Sequence, residues 1–112
     1  MRRLEWILAT VGGLLGALHV GLTAGLYRQA SLEALWFAGA GLAIIAVAVM
    51  NMVALRAGDR SSPTILFFTN TVMVCFFVAA WALMKAPQVA LGVLLFAGLA
   101  VCAALRSLKV VR

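Results

Sequence analysis

Apolar residues fall in four long runs, each interrupted only where charged and turn-forming residues cluster. The runs are Leu4 to Leu26, Leu32 to Leu55, Pro63 to Met84 and Pro87 to Leu105. Within each, about 20 residues separate the nearest charges, the length a helix needs to cross roughly 30 Å of hydrocarbon. The pattern predicts an all-α fold, a polytopic membrane protein built as an up-down-up-down four-helix transmembrane bundle. The four spans and three short connections occupy residues 1–112, so a single domain is expected. Short connections favour antiparallel neighbours.

The connections carry local signals for where helices stop and start. Ser31 is placed to cap the second helix, with Glu33 in its first turn where a carboxylate suits the positive end of the dipole. Gly58 can end that helix, while Ser62 as a cap and Pro63 at the first helical position can begin the third. Trp6, Trp36 and Trp81 lie near run borders, where amphipathic rings favour the membrane interface. Residues 1–5 read as a basic flank and residues 106–112 as a short basic tail. The first run is too long for the core of a signal peptide and lacks a small-x-small cleavage site before a hydrophilic chain, so it is read as a span.

Composition sharpens this picture. Hydrophobic residues make up 66% of the 112 positions and charged residues only 11%, against about a quarter charged in soluble proteins. The net charge of +6 is confined to ends and connections, a pattern of membrane topology rather than of a phosphate-binding face, so no nucleic-acid partner is expected. Arg2, Arg3, Arg56, Arg60, Arg106, Lys109 and Arg112 fall on one side, seven in all, against Arg28 and Lys85 on the other. Under the positive-inside rule both termini are cytoplasmic, and the expected location is a cell inner membrane, multi-pass. Expected partners are the lipid bilayer and either further copies of the chain or another membrane protein.

Few polar groups lie inside the runs, and lipid offers them no partners. His19 and Thr23 share one face of the first helix with Gly12 and Gly16, where a neighbouring helix can approach closely. His19 reads either as a proton-coupling or ligand-binding group in a cleft, or as a buried imidazole bonded to a backbone carbonyl or to Thr23. Asn51 and Asn70 fall at overlapping depths in consecutive helices. They read either as a cross-helix amide pair or, with Thr69 or Thr71, as the lining of a polar pocket. Trp81, with Phe67, Phe68, Phe76 and Phe77, makes the third helix aromatic; such a wall can accept an apolar or cationic ligand, or simply pack. Ala90, Ala97 and Ala104 recur every seven residues in the fourth helix and predict a close-packed seam.

No cofactor is expected. One imidazole does not make a metal site, and no CxxC, HExxH, GxSxG, phosphate loop or dinucleotide fingerprint occurs. Cys75 and Cys102 differ in depth by roughly 12 Å at 1.5 Å per residue, beyond disulfide reach. Three functional classes follow. The first is an oligomeric small-molecule or ion transporter or channel with a polar site around the first helix, drawing on His19, Thr23, Asn51, Asn70 and Trp81. The second is a non-catalytic accessory or assembly subunit of a larger membrane complex. The third is a membrane enzyme acting on a lipid-like substrate, which needs His19 together with Arg56, Asp59 and Arg60 of the second connection.

Overall fold

The computed structural model describes residues 2–58 and 62–111. Four helices account for most of these residues: α1 (Arg2–Leu26), α2 (Leu32–Ala57), α3 (Ser62–Leu83) and α4 (Pro87–Val111). Each is long and apolar enough to cross a membrane. The local signals act as expected at α2: Ser31 Oγ accepts the Ala34 N–H at 3.1 Å, and Gly58 ends the helix at φ 65°. That left-handed conformation carries almost no penalty for glycine. Asp59 and Arg60, invoked for an enzyme site, lie outside the described residues.

Each helix turns one stripe inward at alternating steps of three and four residues, the spacing that keeps side chains on one helical face. On α1 the stripe is Glu5, Ala9, Gly12 and Gly16, and on α2 it is Gly41, Ile44, Ala48, Asn51 and Leu55. On α3 it is Pro63, Leu66, Asn70, Met73 and Phe77. On α4 the buried stripe is Val89, Gly92, Phe96, Leu99 and Ala103. It runs one residue ahead of the expected alanine seam, since Ala90, Ala97 and Ala104 are only half-buried. Volume explains the offset. α1 faces the centre with glycines, and a side chain of the size of Phe96 is needed to fill the space opposite them; a Cβ on Gly12 would stand 3.8 Å from Phe96 Cζ.

The helices associate as two tight hairpins, α1 with α2 and α3 with α4, joined more sparingly through α1 with α4 and least of all through α2 with α3. The α1–α2 crossing is tightest at Gly16 and Gly41. A Cβ on Gly16 would lie 2.8 Å from the Gly41 carbonyl oxygen, and one on Gly41 would lie 2.7 Å from Val20 Cγ2. The centre is a cluster drawn from all four helices, including Ala9, Ile44, Met73, Phe77, Phe96 and Leu99. Leucines 14, 18, 35, 42 and 94 are exposed on the outside, an apolar exterior far beyond the patches of a few hundred Å² usual on soluble monomers. Cys75 is exposed, Cys102 is buried, and both are free thiols.

A polar end and an aromatic cleft as the candidate functional site

One end of the bundle is held by polar contacts. Glu5 is 1% exposed, and its Oε2 lies 2.8 Å from Arg106 Nη2. The contact is close but poorly aligned, since Glu5 Oε1 and Arg106 Nε and Nη2 have no hydrogen-bond partner among the described residues. Glu5 of the expected basic flank and Arg106 of the expected basic tail are thus drawn into the bundle. α4 runs to Val111 because Arg106 continues its inward stripe three residues past Ala103, and Glu5 heads the stripe of α1. A buried ion pair of this kind contributes little net stability but is costly to break from one side. Nearby, Arg2 donates to the Leu55 carbonyl at 2.6 Å, and the Arg56 guanidinium stands 5.5 Å over the Trp6 ring.

A short way along the bundle, Asn51 and Asn70 exchange both amide hydrogen bonds, at 2.9 and 3.0 Å. Asn51 Nδ2 also donates to the Val47 carbonyl at 2.8 Å. Both side chains are fully buried. Thr69 and Thr71 do not join them, since each hydroxyl donates to the carbonyl four residues back in its own helix.

The other half of the molecule contains a cleft of about 340 Å³ between α1, α2 and α3. Its walls come from all four helices and the first connection: His19 and Tyr27, then Glu33, Trp36, Phe37 and Ile44, then Phe76, Phe77 and Met84, with Val89 from α4. His19 stacks on Phe37, ring centroids 3.8 Å apart and planes 17° from parallel, and Tyr27 leans on the same ring at 5.6 Å. Phe76 and Phe77 meet edge to face at 5.7 Å on α3. The His19 ring nitrogens make no hydrogen bond among the described residues. Thr23 donates instead to the His19 carbonyl at 3.1 Å, so it holds the backbone and leaves the imidazole to the cleft.

The five residues singled out from the sequence therefore separate into three places. His19 lines the cleft and Thr23 supports the turn beneath it. Asn51 lies 14 residues beyond Phe37 on α2, roughly 20 Å away along the helix, and with Asn70 forms a closed pair rather than a wall of the same cavity. Trp81 lines a different groove, with Val78, Ala90, Val93 and Leu94, and carries the Lys85 ammonium 5.5 Å over its ring. Arg56 is at the far end from His19, so the composite site required by the enzyme reading is not assembled by the described residues. Tyr27, Glu33 and Phe37 were not singled out. Their only signal is that they flank the first connection directly opposite His19 in an antiparallel hairpin.

No protein family, curated protein or solved structure matches the chain.

Proposed function

We propose that the chain is a multi-pass protein of a cell inner membrane, its helices running up-down-up-down with both termini cytoplasmic, and that it transports a small molecule through the cleft around His19. The cleft carries this reading. It combines a largely aromatic lining with a few polar groups, as small-molecule sites commonly do, and its volume lies at the lower end of their range of about 300–1,000 Å³. The rest of the bundle suits alternating exposure of such a site. α2 and α3, which both contribute to the cleft, are the least closely packed neighbours in the bundle, while the half opposite the cleft is closed by Glu5 with Arg106 and by Asn51 with Asn70. Four short helices enclose little space, so the working unit is an oligomer. Gly21 and Gly25 on the outside of α1, with nothing within 4 Å of where a Cβ would stand, supply the small-xxx-small spacing used by membrane helices that associate closely.

Efflux of a panel of radiolabelled neutral, anionic and cationic aromatic solutes from proteoliposomes tests the reading. Protein-dependent efflux of at least one solute is expected, reduced when Ala40 in the cleft wall is replaced by Trp to fill the space. If every solute leaves proteoliposomes and protein-free vesicles at the same rate, the transport reading is wrong.

A further inference from the structure

Nine basic residues outnumber three acidic ones in this chain, yet among the described residues no lysine or arginine lines the cleft and one of the three acidic side chains, Glu33, does. Glu5 is occupied by Arg106 at the other end of the bundle. Glu33, in the first turn of α2, has neither an ion pair nor a hydrogen bond among the described residues. Lys85, which follows the end of α3, is drawn to Trp81 and its separate groove. The cleft therefore joins a free carboxylate to the faces of several aromatic rings. Ring faces carry the negative part of the quadrupole and attract cations, most strongly where water is excluded. An anion entering here would find no lysine or arginine among the described lining residues and would be opposed by the charge of Glu33. A neutral apolar molecule would gain from the rings and nothing from the carboxylate.

Resting on the transport reading and narrowing it, we infer that the cleft selects a small organic ammonium ion with an apolar body, its charge against Glu33 and its body between His19–Phe37 on one wall and Phe76–Phe77 on the other. The ammonium can belong to a free solute or to a choline headgroup of a lipid; the cleft chemistry is the same for both. The helix dipole accounts for a carboxylate at the start of α2, but it gives no reason for the aromatic walls that converge beside it.

The test follows the indole N–H resonances of the full chain in nanodiscs during titration with benzyltrimethylammonium and with its uncharged carbon isostere, neopentylbenzene. Trp36 lines the cleft, whereas Trp6 and Trp81 lie elsewhere and report simple partitioning into lipid. The ammonium probe should move the Trp36 signal saturably and leave the other two in place. Glu33→Gln should weaken this binding about threefold to fivefold, as expected for a partly solvated charge contact. Phe76→Leu, an exposed position where truncation spares the core, should weaken it by a similar factor of about three. Titrations are run in phosphatidylglycerol and in phosphatidylcholine discs at equal, high salt. Binding in both points to a free solute, and loss in phosphatidylcholine alone points to occupation by the choline headgroup; either supports the inference. If neopentylbenzene moves Trp36 as well as the cation does and Glu33→Gln has no effect, the cleft takes apolar molecules, and the inference falls while the transport reading stands. If neither probe moves Trp36, the inference also falls, and transport is then judged by the solute panel alone.

Discussion

Asn51 and Asn70 satisfy each other across the seam between α2 and α3, each amide both giving and receiving a hydrogen bond in a fully buried position. These two helices approach each other least of any packed pair in the bundle. The pair therefore acts as a polar rivet on one half of the seam, and the cleft opens on the other half. Replacing either residue with leucine leaves the partner's amide buried without its cross-helix hydrogen bonds, at a cost of about 1–3 kcal/mol. Reversible unfolding in mixed micelles should show each single variant destabilised by an amount in this range. Replacing both should cost less than the sum of the single changes, with a coupling of about 1 kcal/mol. Additive losses would mean that the two amides do not act as a unit.

The crossing of α1 and α2 offers a second test. A Cβ on Gly16 would meet the Gly41 carbonyl oxygen and Ile45 Cγ1 at 2.8 Å, both in a packed crossing, whereas one on Gly39 would meet nothing within 4 Å. Gly16→Ala should lower stability by about 1–3 kcal/mol, the usual cost of overpacking. Gly39→Ala should be neutral or slightly stabilising, because alanine has the better helix propensity. Equal stability of the two variants by thermal melting would show that the hairpin is not close-packed at Gly16.

The extent of the four helices was legible in the charge spacing, because a charge in hydrocarbon is costly and interrupts each run where it must. The choice of inward face was much less legible. When a helix is apolar all round, periodicity in hydrophobicity fades, and only volume distinguishes Phe96 from Ala97. The alanine repeat of α4 therefore pointed one residue away from the stripe that is buried. Glu5 reads in the sequence as part of a basic flank, although its spacing from Ala9, Gly12 and Gly16 already places it on their face; what the sequence lacks is its partner, 101 positions later at Arg106. The cleft was the least legible feature. His19 stood out as the only histidine of the chain, set inside the first run, but the stacking of Phe37 against it depends on the register of a hairpin that no single-helix pattern encodes.

The orientation across the membrane is testable with single cysteines. After Cys75 and Cys102 are replaced by serine or alanine, a cysteine at Ser107 should react with a membrane-impermeant maleimide only from the cytoplasmic side. A cysteine at Gln29 should react only from the opposite side. The expectation rests on the seven-to-two distribution of basic residues. Labelling of both positions from one side would sink the four-span arrangement.

Glu5 and Arg106 should behave as a pair that is costly to separate and cheap to remove. Glu5→Gln leaves the guanidinium without its counter-charge in a largely buried position, where breaking a pair typically costs about 3–5 kcal/mol. Glu5→Met with Arg106→Met should recover most of that loss, because methionines fill a similar space without desolvating charges. Thermal unfolding of the single and double variants checks this. A double variant as unstable as Glu5→Gln would assign the pair a role beyond mutual neutralisation.

His19 separates packing from chemistry. Its ring stacks on Phe37 and lines the cleft, while Thr23 bonds the backbone at the same turn rather than the ring. Alanine at this position removes the flat surface against Phe37 and enlarges the cleft. Glutamine retains much of the volume and hydrogen-bonding capacity but cannot titrate. If His19 couples occupancy of the cleft to a proton, the neutral and charged rings must bind a ligand differently, and only a titrating side chain can supply that difference. Efflux of a solute identified by the panel, measured across an imposed pH gradient in proteoliposomes with matched insertion, should therefore lose its dependence on the gradient in both His19→Ala and His19→Gln. Total efflux should fall further in His19→Ala, where the wall is also lost. Retention of the full gradient dependence in His19→Gln would make the imidazole a packing group and remove proton coupling from the mechanism.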